Sequence, residues 1–101
     1  MIQVDLIRNG REAEARFFGR IDSNSAQELE NALLDVAERF DVMTLDFEGV
    51  PYISSAGLRV ISRLHRKMRN KNGRLTLKKV RKDVLEIFKV TGLSNMLEIE
   101  E

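Results

Sequence analysis

Ser54 and Ser55 are the side chains of this sequence best placed to do chemistry. They are adjacent hydroxyls in the stretch Val50-Pro51-Tyr52-Ile53-Ser54-Ser55-Ala56-Gly57-Leu58, between an apolar run ending at Phe47 and a basic amphipathic run starting at Ala56. Serine is a preferred helix N-cap, because its oxygen accepts a backbone N–H that the first turn leaves without a partner. One serine is enough for that. The second, followed by the small residues Ala56 and Gly57, lies in an uncrowded turn. A helix start also stabilises an added phosphate through its free N–H groups and the positive end of its dipole. Arg59 stands four residues after Ser55, within side-chain reach on a helix. A phosphate adds about −1.5 to −2 charge, enough to change what a partner surface meets. The residues therefore allow two readings: both serines serve the helix start, or one is a hydroxyl that another protein reads or modifies.

Other chemistries have little to work with. His65 is the one histidine, in the middle of a helical pattern, and no nucleophile-elbow pattern accompanies it. The absence of cysteine removes disulfides and thiolate chemistry, and no His/Cys cluster has metal-ligand spacing. Asp22, Asp46 and Glu48 are scattered acids near loops, and solvation explains them better than a shared Mg²⁺. Gly49 and Gly57 do not form a phosphate-cradling loop. The expectation is a protein that is not an enzyme and needs neither metal nor cofactor.

Charge is unevenly spread. Residues 1–58 carry 5 basic and 11 acidic side chains, a net −6, while residues 59–101 carry 12 basic and 5 acidic, a net +7. Eleven of the 17 Lys/Arg lie between Arg59 and Lys82 with no acid among them. Such a block fits either an anionic partner or an acidic neighbour inside the fold. Few aromatics interleave with it, so direct nucleic-acid binding is not expected; a solvated helix face matched to acids on a neighbouring helix explains it more simply.

Several elements must position the serines. Ile2, Val4 and Leu6 alternate with polar residues, Asn9-Gly10 signals a hairpin, and Ala13, Ala15 and Phe17 alternate on the return. Gly19 to Ser25 is a loop into a helix over 26–40, with Leu29, Leu33, Val36, Ala37 and Phe40 on its apolar face. Asp22, Ser23 or Ser25 could cap it, and Ser25 with Glu28 has capping-box spacing. Val42 to Phe47 lies between two helical patterns and reads as a central parallel strand. The second helix spans about 56–70, with Leu58, Ile61, Leu64 or His65, and Met68 on one face, and Asn72-Gly73 ends it. Arg74 to Lys78 is a strand, Lys82 to Val90 a short helix with Val84, Leu85, Ile87 and Phe88 apolar, and Leu97 and Ile99 mark a last short strand. The order is β-β-α-β-α-β-α-β in one α/β domain over 1–101, with three later strands parallel and an N-terminal hairpin. The N-terminus reads as a strand and not a signal peptide, and no apolar run approaches the roughly 20 residues of a membrane span. A soluble cytoplasmic protein is expected.

The run Asp46-Phe47-Glu48-Gly49-Val50-Pro51-Tyr52-Ile53-Ser54-Ser55-Ala56-Gly57-Leu58 resembles the signature of STAS domains, in particular bacterial anti-sigma factor antagonists. Gly19-Arg20-Ile21-Asp22 and Val90-Thr91-Gly92-Leu93 resemble two further family segments, so the resemblance covers essentially the whole chain. It implies the STAS fold, a mixed β-sheet with helices on one face. It also implies partner switching: the unmodified protein binds an anti-sigma factor, often a serine kinase, and frees a sigma factor for transcription. Phosphorylation at this helix start ends binding, and a serine phosphatase restores it. Aligned on Gly57-Leu58, the family's modified serine is Ser55, and Ser54 stands where aspartate is commonest, which removes a charge beside the acceptor. Asp22 matches the loop aspartate near the phosphoacceptor. The partner surface so implied comprises Asp22, Ser23, Asn24, Ser54, Ala56, Gly57, Leu58 and Arg59 on a chain that is monomeric when free. The extra C-terminal helix of many members looks short or absent. The alternative is a constitutive STAS interaction module in a larger signalling or transport assembly, never phosphorylated.

Overall fold

The computed structural model describes residues 2–100. Strands β1 (Gln3–Asn9) and β2 (Glu12–Phe18) form an antiparallel hairpin, followed by helix α1 (Ala26–Arg39), strand β3 (Val42–Gly49), helix α2 (Ser55–Asn70), strand β4 (Arg74–Lys78), helix α3 (Lys82–Val90), a 3₁₀ turn at Leu93–Asn95 and strand β5 (Glu98–Ile99). The order β-β-α-β-α-β-α-β is the one expected. The sheet runs β1-β2-β3-β4-β5, and β2, β3, β4 and β5 are mutually parallel. The three later strands are parallel as expected, and β2, the return of the hairpin, joins them as a fourth. A sheet built in sequence order by right-handed crossovers puts all three helices on one face.

The register separates the faces. Ala13, Met43 and Leu75 are cross-strand neighbours, as are Ala15, Leu45 and Leu77, and all six are buried under the helices. Phe17, Phe47 and Phe88 continue this layer, with ring centroids 5.5 Å and 6.0 Å apart in edge-to-face geometry that ties α3 to the sheet. The opposite face is polar. There Lys78 donates to Glu14 at 2.9 Å, reaching across β3, and Arg16 donates to Glu14 at 2.8 Å. Asp46 is buried beside them, its carboxylate accepting the Glu48 N–H at 2.9 Å. It therefore serves the end of β3.

The hydrogen bond from Lys78, then that from Arg16, holds the Glu14 carboxyl below its usual 4.5. A carboxylate whose native pKa is lowered stabilises the fold above its unfolded pKa, and that contribution fades as pH falls through the native value. Glu14→Gln is expected to cost about 0.5–1 kcal/mol at neutral pH. In urea melts the gap between wild type and variant should close as pH falls below the usual carboxylate value of 4.5 and on through the lower native one. A gap that persists undiminished in acid would show that charge is not its source.

Three local readings need correction. The hairpin turns on Gly10-Arg11, since Asn9 pairs with Glu12, and Gly10 takes φ 63° at the first central position as a II′ turn favours. The Ser25–Glu28 capping box is not formed. Instead Asp22 Oδ1 accepts the N–H groups of Asn24 (3.0 Å) and Ser25 (3.2 Å), while buried Ser25 donates its hydroxyl to the Arg20 carbonyl at 3.1 Å. On α2 the buried set is Gly57, Val60, Ile61, Leu64 and Met68; Leu58 and His65 lie half-buried on its flank.

Candidate functional site

Two loops meet at the carboxyl ends of the parallel strands. The first, Gly19 to Ser25, leads from β2 into α1; the second, Val50 to Ser54, leads from β3 into α2. An isolated parallel bridge between Ile21 and Ile53 joins them: Ile21 N–H donates to Tyr52 O at 3.0 Å, and Ser54 N–H donates to Ile21 O at 2.8 Å. Both isoleucines are buried. The bridge therefore sets Asp22 next to Ser54, although the two lie 32 positions apart in sequence.

The two serines part company at the start of α2. Ser54 is the N-cap, in extended conformation with φ −90° and ψ 174°, and its Oγ accepts the Gly57 N–H at 3.3 Å. Ser55 is the first helical residue and is exposed. Its hydroxyl has no partner among the described residues. It stands beside a helix end with free N–H groups and no acid in the first turn. Loss of the Ser54 oxygen leaves one more N–H without a partner. Ser54→Ala is thus expected to destabilise the fold by about 1 kcal/mol, and Ser55→Ala by only a few tenths, read as urea midpoints. Equal effects would dissolve the distinction.

The surface around Ser55 follows from this. Asp22 is half-buried, and Ser23 and Asn24 are exposed on the turn its carboxylate organises. Ala56 and Leu58 are half-buried, and Arg59 is exposed one turn along. A shallow groove of about 210 Å³ runs between Ser23 and Gln27 on one side and Ala56, Arg59 and Arg63 on the other. Gly57 is buried and offers a partner no surface. Its role is close approach: a Cβ there would lie 2.5 Å from Ile21 Cγ2 and 2.7 Å from Ile53 Cγ1.

Two residues beside the site were missed. Arg20 stacks over the Tyr52 ring, its Cζ 4.3 Å from the centroid, and Tyr52 is exposed. Each immediately precedes one member of the Ile21–Ile53 bridge. The one sequence signal was an aromatic in a loop; its partner appears only once the bridge is known.

The basic block is largely matched inside the fold. Arg63 pairs with Glu30 and Lys67 with Glu38, both at 2.9 Å, across the α1–α2 interface. Lys71 donates to the Ala37 and Phe40 carbonyls that close α1, at 2.7 and 3.1 Å. Arg74 pairs with Glu98, Lys78 with Glu14, and Arg81 donates to the Glu48 carbonyl.

Against known proteins, a family model described as the STAS domain matches residues 4–101. The chain is 28% identical over 98 residues to the anti-sigma-B factor antagonist of Bacillus subtilis, covering 97% of this chain and 90% of that protein. It is 34% identical over 84 residues to BtrV of Bordetella bronchiseptica, whose name places it among anti-sigma factor antagonists, covering 80% of this chain and 71% of that one. In fold it is similar to the Bacillus cell fate determinant SpoIIAA, solved in its phosphorylated form, with a TM-score of 0.76 at 16% identity over 100% of this chain and 92% of that one.

Proposed function

The chain belongs to the STAS domain family, whose members of this type act by binding and not by catalysis, and on that premise we propose that it is an anti-sigma factor antagonist working by partner switching. Unphosphorylated, it binds an anti-sigma factor that is also a serine kinase, and so frees a sigma factor for transcription. Phosphorylation of Ser55 ends binding, and a serine phosphatase restores it. The names of the Bacillus subtilis and Bordetella relatives support the partner class. One observation carries the assignment within the site: Ser54 spends its hydroxyl on the Gly57 N–H, while Ser55 is exposed at the same helix start. The partner meets Asp22, Ser23 and Asn24 on one loop and Ser54, Ala56, Leu58 and Arg59 on the other, with Gly57 as the packing that lets the two loops touch.

On this reading residues 1–101 act as one domain, monomeric when free and cytoplasmic. Among the described residues no helix is long and apolar enough to cross a membrane.

The test is intact-mass measurement after incubation with the cognate kinase and ATP. Wild type and Ser54→Ala should each gain one phosphate, and Ser55→Ala none. Loss of the phosphate in Ser54→Ala with retention in Ser55→Ala would exchange the two roles. A chain that binds its partner with neither serine modified in the bound or free pool would be a constitutive interaction module, the reading favoured by Ser54 standing where the family usually has an acid.

A further inference from the structure

Helix α2 carries no acidic residue, yet it bears Arg59, Arg63, Arg66, Lys67 and Arg69. Like charges three or four residues apart destabilise a helix, so this composition asks for compensation from elsewhere. Arg63 and Lys67 find it in Glu30 and Glu38 on α1. Arg59, Arg66 and Arg69 have no acidic partner among the described residues, and all three are exposed. At 100° per residue they fall with Ser55 and Ser62 on a single stripe opposite the buried face of Gly57, Val60, Ile61, Leu64 and Met68. The stripe runs roughly 21 Å along the helix at 1.5 Å per residue.

We infer that this ridge is a docking surface for an acidic polypeptide segment whose carboxylates pair with Arg59, Arg66 and Arg69. The inference rests on the reading that a partner docks at the start of α2, and it adds the partner's chemistry. Charge complementarity argues for it. All three free cations are arginines, whose planar forks take carboxylates two bonds at a time. The ridge is one residue wide, which suits a single chain or helix. A nucleic-acid backbone or an anionic membrane is broader and would also meet α1, where the side chains of Asp35 and Glu38 are each 66% exposed.

The test is titration of the ¹⁵N-labelled full chain at low salt with a short poly-L-glutamate. Duplex DNA and phosphatidylglycerol vesicles are run in parallel. Poly-glutamate should move the signals of Arg59, Ser62, Arg66 and Arg69, and added salt should reverse the shifts. Arg66→Glu with Arg69→Glu should weaken binding about tenfold or more, whereas the same charge change off the ridge, Arg8→Glu with Lys82→Glu, should weaken it less than about threefold. If the first pair fails to fold by circular dichroism, Arg66→Gln with Arg69→Gln takes its place. Shifts scattered over the surface, equal losses in both pairs, no binding to poly-glutamate, or tighter binding to DNA or vesicles would each overturn the inference. The titration uses unphosphorylated protein throughout, so a chain that is never phosphorylated can still pass.

Discussion

Gly57→Ala is expected to destabilise the protein by roughly 1 kcal/mol, and by about 2 at most, and to do so by prising apart the two loops that form the site. Two effects oppose each other. Alanine is favoured over glycine inside a helix by about 0.8–1 kcal/mol. Against this, the new Cβ would meet Ile21 Cγ2 at 2.5 Å and Ile53 Cγ1 at 2.7 Å. Both atoms belong to fully packed, branched side chains, 0% and 2% exposed, that have nowhere to swing. Overpacking of this kind typically costs about 1–3 kcal/mol, so sterics should win. Relief requires either α2 to lift or the Ile21–Ile53 bridge to open, and that bridge places Asp22 next to Ser54. A urea melt should show a lower midpoint, and hydrogen exchange should show faster exchange at the amides of Ile21 and Ser54, which donate across the two loops. A midpoint equal to or above wild type would mean that helix propensity decides and that the close approach is not needed.

The same position shows what the sequence revealed and what it withheld. Alternation in β1, β2 and β4 and the helical spacing of Leu29, Leu33, Val36 and Ala37 are local signals, so element order and core faces were legible. The run from Asp46 to Leu58 was legible as a family signature, which set Ser54 and Ser55 in different roles before any geometry was known. What escaped notice depends on pairs distant in sequence. The parallel alignment of β2 beside β3 follows from the crossover through α1. The Arg20–Tyr52 stack follows from the bridge beside it. Ser25 has capping-box spacing to Glu28, so the sequence offers it, beside Asp22 and Ser23, as a cap. That motif competes with the Arg20 carbonyl, which holds the hydroxyl inside the loop where it is 3% exposed. The charge asymmetry was visible as a block, but its division into matched and free cations needed the α1–α2 interface. Without that interface, Arg63 and Arg66 look alike; with it, Arg63 is part of the fold and Arg66 is part of the surface.

That division gives the direction and size of the second large effect. Ser55→Asp is expected to weaken binding of the proposed anti-sigma partner by about 30-fold or more while leaving the melting midpoint nearly unchanged. The fold should tolerate the charge because it enters at the N-terminal end of α2, where an acid is stabilised by about 0.3–1 kcal/mol. An interface does not tolerate it so easily. A charge left imperfectly paired on desolvation costs about 2–5 kcal/mol, and each 1.4 kcal/mol is tenfold in affinity. Ser55 heads the stripe that continues through Arg59 to Arg66 and Arg69, so the aspartate also draws Arg59 toward itself, one turn away. If the partner presents carboxylates to that stripe, the new charge repels the partner and removes one of its ligands in a single change. The loss should then shrink as salt is raised, because an exposed pair is screened beyond about 8 Å at physiological ionic strength. Titration calorimetry at two salt concentrations separates the cases. A loss that salt does not alter would point to a steric or desolvation origin at Ser55 alone, and no loss at either salt would remove Ser55 from the partner's footprint.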